Sequence, residues 1–267
     1  MINVIESSRN ILGEGLYIYD GKIYWLDIIS RKLFIRDLDG IHEYNLPEQA
    51  GTVLDVFGDE VFLASESGVC VYDISNFSWF VKCCIPTNLR LFDERANDGV
   101  KVDENKYLFG TMKKEDQELN GALWITNKNE SIKIYEKIGI PNSFIKLSDY
   151  IYLISDSLLK LVYKFEFEPS FLKVKSKEVW LDLSSENYTP DGGCIHGEFV
   201  YFAMWDGYCI NKYDLLGNFI SKIQLPIKRP TNCKLYNCDS LIVTSAKEES
   251  VESGKLFHIE LQASCKN

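Results

Sequence analysis

The sequence predicts an all-β fold, a six-bladed β-propeller with a metal site in its central channel, built as a single domain over residues 1–267. Three observations predict it. Short strands rich in Tyr, Ile, Val and Phe fill the chain. Long amphipathic stretches of helical period are missing. Six segments of one pattern follow each other every 40–50 residues or so, the period of propeller blades with several strands each.

The segments are "KIYWLDIISRKLFIRDL", "EVFLASESGVCVYDI", "KYLFGTM" continued by "GALWITN", "YIYLISDSLLKLVYKFEFE", "FVYFAMWDGYCINKYDL", and "SLIVTSAKE" continued by "GKLFHIEL". Each holds an apolar strand, a small or polar break, and a second strand ending near an acidic or polar turn. A turn precedes each segment, and before that turn lies a short strand that a propeller places innermost. No linker or shift of composition divides the units, so one domain is expected.

Within "RANDGVKVDENKYLFGTM", two turn-like triplets, Asn97-Asp98-Gly99 and Asp103-Glu104-Asn105, stand almost side by side. A hairpin needs only the second. Counting back about six residues from each such turn reaches an equivalent position in every repeat. Those positions are Glu14, Thr52, Asn97, Asn142, Asp191, and Thr231 or Asn232. In a propeller the first residues of the innermost strands surround one mouth of the channel. A ring of carboxylate, amide and hydroxyl oxygens without Cys or His suits a hard divalent cation. Asn97-Asp98-Gly99 then begins a strand at the channel, and Asp98 caps that bend. The neighbouring glycines (13, 15, 99, 192 and 193) are expected to let backbone approach a ligand.

The remaining numbers bound the function. A net charge of −10 and a pI near 4.9 argue against nucleic acid and anionic membranes as partners. "MINVIESSRNILGEG" lacks the pattern of a signal peptide, and no apolar run is long enough for a membrane span. The eight cysteines form no CxxC pair, so mostly buried free thiols and a cytoplasmic location are expected. A monomer is the default.

At the ring residues the chain resembles the SMP-30/gluconolactonase family, which includes regucalcin and sugar lactonases. The resemblance rests on "LGEG" followed by "IYWLDI", on "RANDGVKVDENKYLFGTM", and then on "GALW", "PNS…YLISDS", "PDGGCIHGEFVYFAMWDG" and "RPTNC" in that order. It implies a six-bladed propeller with one divalent metal ion in the channel, held by Glu14, Asn142 and Asp191 and completed by water. Calcium is the first expectation, with zinc, manganese or magnesium as alternatives. The resemblance also places Arg95, Asn97 and Glu115 on the substrate and makes Asp191 the base. Ser143 stands where glycine is common and His196 where an acidic residue is frequent, which leaves the substrate more open than the metal.

The chemistry these residues imply is hydrolysis of a sugar lactone, the cation polarising the carbonyl while Asp191 assists the attack of water. Arg95 offers planar donors for sugar hydroxyls or the nascent carboxylate, and Asn97 both donates and accepts. Trp205 is read either as a surface for a sugar ring or as rim packing, and Asp156 as channel-lining or bonded to backbone amides. Tyr24, Trp25, Tyr107 and Phe109 are read as core between blades. Two other function classes stay open: an esterase acting on phosphotriesters or aryl esters, and a non-enzymatic calcium-binding or interaction propeller.

Overall fold

The buried-exposed patterns of the apolar segments resolve into strands throughout the computed structural model, which describes residues 1–6, 9–86, 89–115 and 118–261. The N-terminal strand β1 is Ile2–Glu6. The next four, β2 Gly13–Tyr19, β3 Lys22–Asp27, β4 Lys32–Arg36 and β5 Ile41–Asn45, form one antiparallel sheet in chain order. Then come β6 Ala50–Phe57, β7 Glu60–Ser65, β8 Gly68–Asp73, β9 Ser78–Cys84, β10 Glu94–Asp103, β11 Lys106–Lys113, β12 Gly121–Asn127 and β13 Glu130–Ile138. A second sheet runs β14 Pro141–Ser148, β15 Ile151–Asp156, β16 Leu161–Phe167 and β17 Val174–Asp182. A third runs β18 Thr189–His196, β19 Phe199–Trp205, β20 Cys209–Asp214 and β21 Phe219–Gln224. The last strands are β22 Pro230–Asn237, β23 Ser240–Ser245 and β24 Leu256–Glu260.

The described residues form five sheets where the repeats predict six separate ones. Strands β6–β9 and β10–β13 are two antiparallel four-strand meanders that merge into one eight-stranded sheet. They merge because the outer strands β9 and β13 meet at a single parallel pair, Glu130 with Cys84. Around that pair Cys84 N donates to Asn129 O at 3.1 Å, and Ser131 Oγ donates to Cys83 O at 3.2 Å. The final sheet takes its fourth strand from the other end of the chain, in the order β1-β24-β23-β22. Strands β2, β6, β10, β14, β18 and β22 each pack against the next, and β22 packs against β2, which closes a ring.

Apolar side chains fill the spaces between neighbouring four-strand units. Tyr24 packs with Val53 and Leu63, Trp25 with Ile242 and Leu256, and Tyr107 and Phe109 with Phe62 and Leu54. All four aromatics are buried, as expected of core between the four-strand units.

Two aspartates lock strand starts onto this frame. Asp27 accepts hydrogen bonds from Ile11 N at 2.9 Å and Leu12 N at 3.1 Å, just ahead of β2. Asp156 repeats the device ahead of β14, accepting from Gly139 N at 2.8 Å and Ile140 N at 3.2 Å, and from Leu158 N at 3.1 Å. Of the two readings open for Asp156, the amide-bonded one matches. Asp156→Ala strips a buried carboxylate from several backbone donors and is expected to cost about 2–3 kcal/mol, measured by urea unfolding.

Seven cysteines are described; all are free thiols, with Cys84 and Cys238 exposed and the other five buried. Cys265 lies outside the described residues. Among the described residues, no helix is long and apolar enough to cross a membrane.

Candidate functional site

The triplet Asn97-Asp98-Gly99 is no turn at all: it lies inside β10, at a break in register between Ala96 and Gly99. Ala96 pairs with Thr111 and Gly99 with Phe109, so Asn97 and Asp98 together oppose Gly110 alone. That is a β-bulge, which re-aims side chains at the rim of a sheet. The same break follows Glu14 in β2, Asn142 in β14 and Pro190 in β18. Bulges therefore stand where the sequence places its ring of polar residues. The hairpin turn is the later one, at Asp103–Lys106.

Conformation at the bulges matches the residues there. Gly15 has φ of +61°, and a Cβ would stand 2.8 Å from the Thr52 Cα. Ser143 and Phe144 adopt φ of +76° and +30° without glycine's freedom, so this bulge stores strain. The Ser143 hydroxyl answers it by donating to the Asp191 carbonyl oxygen and lying 2.9 Å from Ser155 Oγ.

Five expected site residues meet on one cavity of about 490 Å³: Glu14, Arg95, Asn97, Asn142 and Asp191. Its apolar wall is Leu12, Met112, Ile140, Leu158 and Trp205. The volume suits a small ligand. Glu115 does not join them: it is exposed, on the bend after β11, and its neighbour Lys114 lines the cavity instead. Lys114 Nζ is tied to the buried Glu66 at 2.7 Å. Ser157, Thr189 and Asp206 also line the wall and were not singled out by the spacing. His196 is half-buried at the end of β18, away from the cavity lining. The Arg229 guanidinium covers the Trp205 ring at 4.8 Å and bonds Asp206 at 2.8 Å, which fixes that rim.

A chain of hydrogen bonds crosses three strands beneath the cavity. Arg95 Nη1 donates to Asn97 Oδ1 at 2.6 Å, and Asn97 Nδ2 to Asn142 Oδ1 at 2.9 Å. Asn142 Nδ2 donates to Ser157 Oγ at 3.0 Å, and Ser157 Oγ to Pro190 O at 2.6 Å. These bonds fix which way each amide faces. Asp98 caps the bulge by accepting from Gly99 N at 2.8 Å.

Electrostatically the site joins buried carboxylates to a buried cation. Burial, then Asp98, raises the Glu14 carboxyl to about 7. Burial, then Glu14 and Asp98, raises Asp191 well above the usual carboxylate range. Burial lowers Arg95 to about 10, opposed by Glu14 and Asp191. Asp191 Oδ1 is buried without a hydrogen-bond partner. Two apposed carboxylates with an orphaned oxygen call for a cation. Asn142 Oδ1 adds a neutral donor, since a carbonyl oxygen that accepts one hydrogen bond keeps a second lone pair. The oxygen set fits a hard divalent ion. Among the described residues no three His, Cys, Asp or Glu side chains form such a group, so the candidate set needs the amide.

The glycines serve a different purpose from the one their positions suggest. A Cβ at Gly13 would meet the Ser245 carbonyl at 2.7 Å, and one at Gly192 would strike the Asn232 amide. They admit neighbouring strands rather than a ligand.

Known proteins share this chain's sequence pattern and fold. The sequence pattern of the SMP-30/gluconolactonase/LRE-like region matches residues 12–247. The pentonolactonase of Haloferax volcanii is 23% identical over 91% of this chain and 84% of its own. A calcium-binding protein, regucalcin, from Agrobacterium tumefaciens superposes with a TM-score of 0.88 at 21% identity, covering 97% of this chain and 92% of that one. A gluconolactonase from Xanthomonas campestris superposes with a TM-score of 0.78 at 11% identity, covering 98% and 89%. With an all-β fold like theirs and a pattern matching most of its length, the chain belongs to the SMP-30/gluconolactonase/LRE-like family.

Proposed function

We propose that this chain is a divalent-metal-dependent lactonase that opens sugar (aldono) lactones to the corresponding sugar acids. The observation that carries the reading is the convergence of Glu14, Asn142 and Asp191, from three strands, on a cavity that Arg95 and Asn97 also line. Family membership and relatives named as a pentonolactonase and a gluconolactonase support the substrate class. In this reading the eight-stranded sheet counts as two blades, giving six around the channel in one domain.

Glu14, Asn142 and Asp191 would hold the ion, calcium by preference, and it would supply polarisation of the ester carbonyl. The protein's own residues do the rest. Arg95, held to Asn97 Oδ1 at 2.6 Å, presents its remaining N–H donors to the hydroxyls and the ring ester of a bound lactone. Asn97, whose Nδ2 is spent on Pro141 O and Asn142 Oδ1, offers an Oδ1 lone pair to a sugar hydroxyl. The apolar wall of Leu12, Met112, Ile140 and Leu158 limits water around the ring. Asp191, with its unpartnered Oδ1, accepts the proton of the attacking water. Water adds its oxygen to the carbonyl carbon, the ring C–O bond breaks, and the ring oxygen leaves as a hydroxyl by taking the proton that Asp191 accepted, after which the product acid releases its own proton to solvent.

The reading is tested by proton release from pentono- and hexonolactones beside a phosphotriester and an aryl ester. Turnover of the lactones well above the other two is expected. Turnover confined to the phosphotriester or aryl ester would replace the substrate class, and binding of metal with no turnover would favour a non-enzymatic role.

A further inference from the structure

The spacing leaves Thr231 and Asn232 equally eligible for the sixth place in the ring. The structure separates them. Thr231 turns its hydroxyl away, donating to the Gly13 carbonyl and lying 2.9 Å from Thr244 Oγ1. Asn232 turns its amide toward the carboxylates. It is 1% exposed and is not part of the cavity wall.

Three observations fix what that amide touches. Asn232 Nδ2 lies 3.4 Å from Glu14 Oε2, joining Gly15 N, which donates to the same oxygen at 3.1 Å. Asn232 Oδ1 is buried without a hydrogen-bond partner. The amide is pressed on the backbone next to Asp191: a Cβ on Gly192 would stand 2.3 Å from Asn232 Cγ and 2.4 Å from Nδ2. One side chain thus bonds the Glu14 carboxylate and packs against the backbone that directly follows Asp191.

We infer that Asn232 is a positioning residue that orients the Glu14 carboxylate toward a divalent cation shared with Asp191, and that residue 192 is glycine because the Asn232 amide occupies the space of its side chain. A donor on Oε2 favours the charged carboxylate and restricts its rotation, as partners one step behind metal ligands do. The inference rests on the cation site proposed above.

The test is the affinity of the full chain, stripped of metal, for Mn²⁺ alone, measured by isothermal titration calorimetry without substrate. Asn232→Ala is expected to weaken binding about 10- to 100-fold while the cation-free protein still unfolds cooperatively. Gly192→Ala, which displaces the amide and leaves residue 232 intact, is expected to weaken binding in the same direction. The double variant is expected to be no weaker than the weaker single, because removing the Asn232 amide makes room for the methyl group added at position 192. Should Asn232→Ala fail to fold, Gly192→Ala decides alone. Unchanged affinity in a folded single variant, with Glu14→Gln losing the ion, overturns the positioning role and leaves the cation site standing. Fully additive losses overturn the link between residues 192 and 232. Absence of Mn²⁺ binding by the unsubstituted chain overturns the cation site and this inference with it.

Discussion

Asp191→Asn is expected to lower lactone turnover by about 10³-fold, because the change keeps the shape of the side chain and removes both its charge and its basicity. Asp191 sits in the bulge of β18, with its carbonyl oxygen held by Ser143 and Oδ1 without a partner. Its carboxylate is bonded by Gly192 N–H and apposed to Glu14, contacts whose geometry an isosteric amide keeps, so the loss falls on function. The cation-free variant is expected to be at least as stable as the unsubstituted protein, since it relieves the apposition of Asp191 with Glu14. Steady-state rates beside thermal unfolding in chelator check both halves. A variant that lost activity only in proportion to lost folded protein would remove Asp191 from the chemistry.

The second large effect is on stability against pH. Glu14 titrates near 4.5 in the unfolded chain and, raised by burial and then Asp98, at about 7 in the fold without a cation. Between those values the folded protein keeps a proton that the unfolded chain has released. Its contribution is therefore intact below about pH 4.5 and is lost as pH rises through 7, an effect of roughly 3 kcal/mol. Asp191 acts in the same direction. The protein in chelator is expected to unfold at lower urea at pH 8 than at pH 6, and a divalent cation is expected to restore the difference at pH 8 while releasing protons. Equal midpoints at both pH values in chelator would show that the two carboxyls do not face each other in a dry site.

How much of this was legible in the sequence follows from the kind of interaction that fixes each part. Strand positions were legible because every repeat alternates apolar runs with turn residues, and sheet packing enforces that pattern locally. Glu14, Asn97, Asn142 and Asp191 were legible as a set because equivalent strand starts converge on one cavity. Their bulges were not, since two residues opposing one leave no signature beyond the Asn, Asp and Gly that turns also use. Strand β1 was missed because its partner β24 lies at the far end of the chain and nothing near "INVIE" encodes the pairing. The merger of two meanders depends on a single residue pair between outer strands. Glu115 was expected on the substrate from the resemblance; the charged stretch "KKEDQE" has no periodicity in its sequence to orient it, and the pairing of Lys114 with Glu66 turns the preceding residue inward. Asn232 was one of two equal candidates until the Gly192 backbone showed which side chain lies against it.

The most direct measurement is proton release from an aldonolactone by the metal-stripped protein, followed before and after adding back one divalent cation, with Asp191→Asn alongside. The account predicts no turnover above the spontaneous rate without the cation, turnover on its addition, and about 10³-fold less in the variant. Equal turnover by the stripped protein, or full activity in Asp191→Asn, would contradict it.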